Sequence, residues 1–187
     1  MPAQGSRLHD RDLLDRLESF DPQPLSGTAW RVTWATRDPL AGNSAGGRWH
    51  PLNSFEALYT SLEADGALAE MYFHLSRAPV FASSRMRLHR LQVETARTLW
   101  LTDMSTLVRL GVDESRYQSL DHARSQEIGA AARFLEFDSL LVPSVRWPCQ
   151  NLVLFLDRLD ASRLTSCGED ATEVKWPAWR ESRGIRH

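Results

Sequence analysis

Between residues 46 and 70 the chain carries two glycines, an arginine, a tyrosine and a glutamate, which together favour a binding site for an anionic ligand. Gly46 and Gly47 free the backbone for positive φ and for close approach to a ligand. Arg48 follows directly and offers a planar fork of donors that suits a phosphate or a carboxylate. Tyr59 and Glu70 then supply an aromatic ring and a single acid. The same residue types also occur in an ordinary surface turn with a solvated arginine and a solvated acid, because short motifs match by chance.

A second arginine, Arg31, lies in a predicted strand. Residues 29–34 alternate at strand spacing, which puts Trp30, Val32 and Trp34 on one face and Arg31 on the other. Arginine is rarely fully buried unless it is paired. Arg31 is therefore expected either to bind an anionic ligand or to reach solvent or an internal carboxylate.

Glu70 lies in a helix predicted over Leu62–Leu75. The core stripe of this helix includes Leu68 and Met71, and helical periodicity points Glu70 away from it. Periodicity alone would leave Glu70 in solvent. Much of the remaining circumference of the helix is apolar, however. The alternative to a solvated Glu70 is therefore a helix that is covered on two sides, with Glu70 and His74 facing a cleft. The i, i+4 spacing of these two residues also occurs in metal pairs, but no third ligand motif accompanies it, so no metal is predicted.

Two continuous apolar runs, Ser139–Val142 and Leu152–Leu156, predict central strands that are buried on both faces. The segment between them contains Ser144 and Asn151. Loops next to buried strands often carry functional residues. Ser144 is therefore a candidate site residue, and its alternative role is a turn-forming hydroxyl that bonds nearby backbone.

The remaining periodic segments complete an α+β pattern of strands and helices. Further helices are predicted over Asp10–Phe20, Asp103–Leu110 and Asp121–Glu136, and a strand with a basic, exposed face over Arg85–Val93. We divide the chain into an N-terminal helical extension (1–24), a main domain (25–160) and a loosely held C-terminal tail (161–187).

Composition excludes several classes of protein. The 187 residues are 42% hydrophobic and 25% charged, which is typical of one soluble globular domain. A net charge of −2 gives no general attraction to nucleic acid or to anionic membranes. The sequence has no apolar run of membrane-spanning length, no signal-peptide pattern and only two cysteines, so a cytoplasmic protein is predicted.

Several separated motifs together resemble the RES domain family, which is named for a characteristic Arg, Glu and Ser. The resemblance runs from about Trp30 to Asp157, and one departure is that RES proteins usually carry Asn after Gly-Gly-Arg-Trp, where this chain has His50. The motifs that carry it are Trp30-Arg31-Val32, Gly46-Gly47-Arg48-Trp49, Leu58-Tyr59-Thr60-Ser61, Ala69-Glu70, Val142-Pro143-Ser144-Val145-Arg146 and Asn151-Leu152-Val153.

The resemblance implies a fold, an activity and partners. RES proteins have a mixed central β-sheet with flanking helices, similar to the ADP-ribosyltransferase (diphtheria-toxin-like) fold. They are toxins of bacterial type II toxin–antitoxin systems. They consume NAD, as substrate, by breaking the nicotinamide–ribose bond. The ADP-ribosyl group then passes to water, to phosphate or to a protein such as phosphoribosyl pyrophosphate synthetase. The sequence does not distinguish among these acceptors. The expected partner is an antitoxin with an Xre-type helix-turn-helix domain that plugs the cleft; neither nucleic acid nor a membrane is expected to bind directly.

The resemblance also implies roles for individual residues. Breaking this N-glycosidic bond passes through an oxocarbenium-like ribose, and the cationic nicotinamide leaves without an acid. Glu70 would counter the developing charge, Arg31 and Arg48 would grip the pyrophosphate, and Tyr59 would stack on nicotinamide. Ser144 would bind the nicotinamide ribose or hold Glu70. The implied catalytic residues are Glu70, Arg31 and Ser144, and the implied NAD-binding residues are Gly46, Gly47, Arg48, Tyr59 and Asn151.

Two other functions remain open at this point. His50 in place of Asn keeps open an NAD-binding module of the same fold that has lost turnover. A toxin that acts on RNA is the third hypothesis, which the net negative charge and the lack of a basic surface interleaved with aromatic residues oppose.

Overall fold

A mixed sheet that closes on itself forms the centre of the fold. The computed structural model describes residues 10–77, 85–168 and 171–185. The strands of these residues are β1 (Gln23–Trp34), β2 (Ala57–Ser61), β3 (Met86–Trp100), β4 (Ser139–Pro143), β5 (Gln150–Phe155), β6 (Leu164–Ser166) and β7 (Thr172–Glu173). The helices are α1 (Arg11–Glu18), α2 (Ala64–Leu75), α3 (Met104–Arg109), α4 (Ala123–Phe134) and α5 (Trp176–Ser182), with 3₁₀ turns at Glu114–Arg116 and Ala161–Arg163.

Closure results from pairing between the first strand and the long third strand. The sheet runs β1-β2-β5-β4-β3, and β1 also pairs with β3 in antiparallel register from Gln23↔Thr98 to Trp34↔Met86. Only β3 and β4 run parallel among these neighbours. The predicted mixed sheet with flanking helices is confirmed. As predicted, β4 and β5 are its buried centre.

The largest part of the core lies between the sheet and the helices α1, α3 and α4. Leu13 and Leu17 of α1, spaced i, i+4, are fully buried against α4, whose Ile128 and Ala132 face the same cluster. Asp10 caps α1 by accepting the Asp12 N–H. The N-terminal helix therefore packs on the main body, as predicted.

The strand predicted over Arg85–Val93 is longer and less exposed than its pattern indicated. It continues as β3 to Trp100, because β1 covers one edge over almost its whole length. His89, predicted to lie on an exposed basic face, is 7% exposed, and its Nε2 lies 3.0 Å from the Thr33 hydroxyl. The prediction was wrong for His89 because strand alternation does not reveal which face a neighbouring strand will cover.

Part of the segment predicted as a loose tail is incorporated into the fold. β6 and β7 pair with β3, and Trp176 of α5 is 5% exposed beside Tyr72 of α2. Packing of these aromatic rings holds the segment on the main domain, although its polar composition predicted a loose tail. The boundaries of the three predicted regions (1–24, 25–160 and 161–187) stay a prediction. Within the described ranges, every helix is too short or too polar to cross a bilayer.

Candidate active site

A cavity of about 670 Å³ opens between α2, the 43–49 loop and the ends of β4 and β5. This volume is within the range of sites that bind a cofactor-sized ligand. Of the eight residues that the sequence analysis selected, seven line it: Arg31, Gly46, Gly47, Arg48, Tyr59, Glu70 and Asn151. The eighth, Ser144, lies directly behind Glu70.

Two donors, Ser144 just after β4 and Asn151 near the start of β5, orient Glu70. Glu70 Oε1 accepts from Ser144 Oγ at 2.8 Å and from Asn151 Nδ2 at 3.0 Å. The antiparallel pair Val142↔Asn151 brings both donors to the same end of the sheet. Since a bond between Ser144 N–H and Cys149 O closes the intervening turn, the carboxylate has a fixed position rather than the mobile, solvated one that periodicity alone suggested.

Arg48 is held by backbone carbonyls at the opposite wall. Its Nη1 donates to Tyr117 O at 2.7 Å and its Nη2 to Ser119 O at 3.2 Å. Its Cζ also lies 4.9 Å from the centroid of the Tyr117 ring. Burial is the largest cause that lowers the pKa of Arg48, and Glu70 is among the groups that oppose the shift. The guanidinium is thus positioned by neutral backbone acceptors, which do not cancel its positive charge.

Arg31 is held in a similar way from β1. Its Nη1 donates to Pro39 O at 2.7 Å and to Ala41 O at 2.9 Å. Burial lowers the pKa of Arg31 to about 10, so it remains cationic at neutral pH. The sequence left open whether Arg31 reaches solvent or pairs with an internal carboxylate. Its hydrogen bonds go instead to carbonyls, which fix the side chain without neutralising it.

Glycine is required at positions 46 and 47 for two different structural reasons. Gly46 has φ +80°, a conformation that favours glycine. A Cβ on Gly47 would lie 2.6 Å from the Tyr59 hydroxyl, so only glycine fits there. The Gly47 N–H donates to His50 O at 2.9 Å. This N–H is therefore already bonded within the loop.

Helix α4 holds this loop through two close contacts. Gln126 Nε2 donates to Gly47 O at 2.9 Å. A Cβ on Gly129 would lie 1.8 Å from Trp49 O, so the helix and the loop touch through backbone atoms. The position of Arg48, between Gly47 and Trp49, therefore depends on α4 as well as on its own hydrogen bonds.

Tyr59, which lines the cavity, is hydrogen-bonded to the buried His50 behind it. The Tyr59 hydroxyl accepts the Trp49 N–H at 2.9 Å and lies within hydrogen-bond distance, 2.9 Å, of His50 Nδ1. Burial raises the pKa of Tyr59 and lowers that of His50. His50 is 0% exposed and does not line the cavity. The departure from Asn at this position therefore acts on Tyr59 rather than on a ligand.

The sequence analysis did not select Arg146, which also lines the cavity. Its Cζ lies 3.4 Å from the centroid of the Phe73 ring, and its backbone N–H donates to Ser144 Oγ at 3.2 Å. The available signal was its place two residues after Ser144. His74 lines the cavity too, so the structure favours the alternative in which Glu70 and His74 face a cleft. Among the described residues, no three His, Cys, Asp or Glu side chains form a group that could hold a metal ion.

Comparisons with known proteins agree with this geometry. The RES domain profile matches residues 28–176. NAD(+) phosphorylase MbcT of Mycobacterium tuberculosis (strain ATCC 25618 / H37Rv) is 30% identical over 142 residues, covering 72% of this chain and 76% of the relative. The probable NAD(+) phosphorylase Rv3189 of the same strain is 36% identical over 153 residues, covering 79% and 73%. A chain in the crystal structure of the M. tuberculosis MbcT–MbcA toxin–antitoxin complex superposes with a TM-score of 0.82 at 27% identity, covering 94% of this chain and 98% of that one.

Proposed function

This chain belongs to the RES domain family, and from that premise we propose that it is a toxin that consumes NAD by cleaving the nicotinamide–ribose bond. The observation that carries the proposal is the fixed carboxylate of Glu70 in one cavity with two arginines, Arg31 and Arg48, whose charges are not neutralised by carboxylates. An NAD molecule presents the complementary groups, a pyrophosphate and a sugar that becomes cationic in the transition state.

The roles of the residues follow from this charge pattern. Arg31 and Arg48 bind the pyrophosphate through donors that their carbonyl contacts leave free. Glu70 stabilises the oxocarbenium-like ribose, and the donors Ser144 and Asn151 keep its carboxylate oriented before the reaction begins. Tyr59 offers a ring for the nicotinamide. The leaving group departs neutral, because the electron pair of the broken bond discharges the pyridinium.

The acceptor that we propose is inorganic phosphate, because relatives at 30% and 36% identity are named NAD(+) phosphorylases. Water and a protein side chain, such as one on phosphoribosyl pyrophosphate synthetase, are the alternative acceptors that the family resemblance implies. We also propose that the closed sheet is similar to the ADP-ribosyltransferase fold, as the family resemblance implies.

We also propose that the protein acts in the bacterial cytoplasm and that an antitoxin partner binds it and covers the cavity. The structural neighbour at TM-score 0.82 is the toxin of a toxin–antitoxin complex. The family resemblance further implies that this antitoxin carries an Xre-type helix-turn-helix domain. Co-expression with an antitoxin that binds this chain should restore growth of cells that produce the toxin.

Incubation of the purified protein with NAD, with and without phosphate, tests the activity. Chromatography should detect free nicotinamide, and mass spectrometry should detect the phosphorylated ADP-ribose, free ADP-ribose or a modified protein in added lysate. The absence of all these products would contradict the proposal. Tight NAD binding by calorimetry without any product would instead favour the inactive binding module. His50 gives that alternative little support, since it lies outside the cavity wall.

A further inference from the structure

A third arginine of the cavity, Arg146, has no role in the NAD contacts proposed above. Arg146 lies in the turn between β4 and β5, and its guanidinium stacks on Phe73 with Cζ 3.4 Å from the ring centroid. Phe73 and His74 follow Glu70 by three and four residues on α2, so they lie on the same face about 5.4 Å further along the axis. All four side chains line the cavity.

Arg146 is anchored to the catalytic carboxylate through one intermediate residue. Its N–H donates to Ser144 Oγ, and Ser144 Oγ donates to Glu70 Oε1. Its Nη2 donates to Gln118 O at 3.0 Å. A carbonyl fixes the side chain but does not neutralise it, as with Arg48. Because the guanidinium stacks on Phe73, about one helical turn from Glu70, and interacts electrostatically with Glu70, the structure holds a positive charge near this carboxylate.

A dianion can approach a carboxylate only where cationic donors offset the repulsion between them. Arg146 and Arg48 provide that offset, since both interact electrostatically with Glu70. His74 adds a neutral N–H donor, because burial lowers its pKa, with Glu70 opposing and Arg146 reinforcing the shift. His74 keeps an exposed surface on the cavity side, so this donor is accessible to a ligand.

We propose that Arg146, assisted by His74, binds the second substrate, inorganic phosphate, beside Glu70. This inference rests on the proposed NAD-cleaving function and assigns a site to its acceptor. A phosphate oxygen forms a bond to the anomeric carbon of the nicotinamide ribose while the carbon–nitrogen bond breaks. The electron pair of the broken bond neutralises the pyridinium, and no proton needs to move in this step.

Different backbone segments hold this anion site and Arg31, one of the two arginines assigned to the pyrophosphate; Arg48 lies between them in role, since it also acts on Glu70. Arg31 is held by the carbonyls of Pro39 and Ala41 after β1, whereas Arg146 is held at the end of β4 next to Ser144. In NAD the pyrophosphate is attached to the far end of the ribose from the bond that breaks. An acceptor must instead reach the anomeric carbon, where Glu70 and Arg146 lie together.

Steady-state kinetics with varied phosphate at saturating NAD tests the assignment. Arg146→Gln should raise the KM for phosphate roughly tenfold to hundredfold, the usual effect of losing a charge-assisted contact, and should change the KM for NAD much less. Arg146→Lys keeps the charge but not the fork, so its KM for phosphate should lie between the two. The matched control is Arg77→Gln: Arg77 contacts the same Phe73 ring, at 5.5 Å, but does not line the cavity. Its charge acts on Arg146 and His74 only from outside the cavity wall, so its loss should change the KM for phosphate far less than Arg146→Gln does.

Inhibition of the unmodified protein by sulfate gives a measurement that does not depend on any variant folding. Sulfate should compete with phosphate and not with NAD. Competition with NAD alone, an unchanged KM for phosphate in Arg146→Gln, or nicotinamide release that is independent of phosphate would each overturn this subsite. Complete absence of nicotinamide release would instead overturn the proposed function itself, so the two failures are distinguishable.

Discussion

The hydroxyl of Ser144 donates a hydrogen bond to Glu70 Oε1 at 2.8 Å, although the two residues are 74 positions apart in the chain. This contact joins α2 to the connection between β4 and β5. Asn151, the second residue of β5, reinforces it with a hydrogen bond of 3.0 Å to the same oxygen. Because both bonds go to one oxygen, they fix the orientation of the carboxylate.

Ser144→Ala should lower kcat for nicotinamide release roughly tenfold to hundredfold, the effect expected when a hydrogen bond to a charged group is lost. The KM for NAD should change little, because Ser144 lies behind Glu70 and does not line the cavity. Ser162→Ala, at an exposed hydroxyl bonded to Asp160, is the control. A raised KM with unchanged kcat would show that Ser144 contacts the substrate instead.

Glu70→Gln should abolish at least about 99% of the activity while the protein stays folded. The glutamine oxygen can still accept from Ser144 and Asn151, so only the negative charge is removed. Nicotinamide release and a thermal melt measure the two effects. Glu63→Gln, an exposed acid before the same helix, should keep full activity. Near-normal turnover in Glu70→Gln would refute the assigned role.

The sequence predicted most elements of the fold because their periodicities are local. Burial of β4 and β5 and the helical spacing in α1 and α2 were each visible within a few residues. The closure of the sheet was not visible, because it depends on pairing between β1 and β3 across more than fifty residues. For the same reason the burial of His89 was missed.

The candidate site was predicted as a set of residues but not as a set of contacts. Family motifs selected seven of the lining residues and Ser144. They did not reveal that Arg31 and Arg48 are held by backbone carbonyls, or that the Gly47 N–H is already bonded, because these partners come from irregular loops. Arg146 was missed since its stacking on Phe73 requires α2 and the β4–β5 turn to meet. The catalytic and binding roles themselves stay predictions.

Tyr59→Phe should separate the two roles of this side chain. Loss of the hydroxyl leaves the Trp49 N–H and His50 Nδ1 without their partner, which should lower the free energy of unfolding by about 1–3 kcal/mol. The ring itself remains, so the KM for NAD should rise less than in Tyr59→Ala. Urea unfolding and NAD kinetics on both variants measure this. Equal loss of NAD affinity in the two would show that the hydroxyl, not the ring, matters for binding.

Gly129→Ala should destabilise the protein by at least about 3 kcal/mol, at the upper end for overpacking, because the new methyl group would meet the backbone oxygen of Trp49 at 1.8 Å. Displacement of Trp49 should also lower activity through its neighbour Arg48. Gly168→Ala is the matched control: its Cβ meets nothing within 4 Å, so its unfolding free energy should stay within about 0.5 kcal/mol. Unchanged stability in Gly129→Ala would mean that α4 and the loop are not in direct contact.

Stability should fall as the pH drops below about 6.5, the ordinary pKa of histidine. Burial is the main cause that lowers the pKa of His50, and a backbone hydrogen bond with Asn43 partly opposes it. Between the lowered native pKa and 6.5, the unfolded chain binds more protons than the native state, so acid favours unfolding. Above 6.5 both states are neutral at His50, and the penalty is absent. The carboxylate of Asp103, whose pKa Ser105 and Thr106 lower to about 2, loses its contribution only in more acidic solution.

Urea unfolding at several values between pH 5 and pH 8 measures this dependence for the unmodified protein and for His50→Asn. One histidine can contribute a slope of at most about 1.4 kcal/mol per pH unit. His50→Asn should have a shallower slope below pH 6.5, because asparagine does not titrate there and its amide can still bond the Tyr59 hydroxyl. The residual slope comes from His74, His89 and His122, whose pKa values are also lowered, chiefly by burial. Identical slopes in the two proteins would mean that His50 takes up its proton as readily in the folded state as in the unfolded chain.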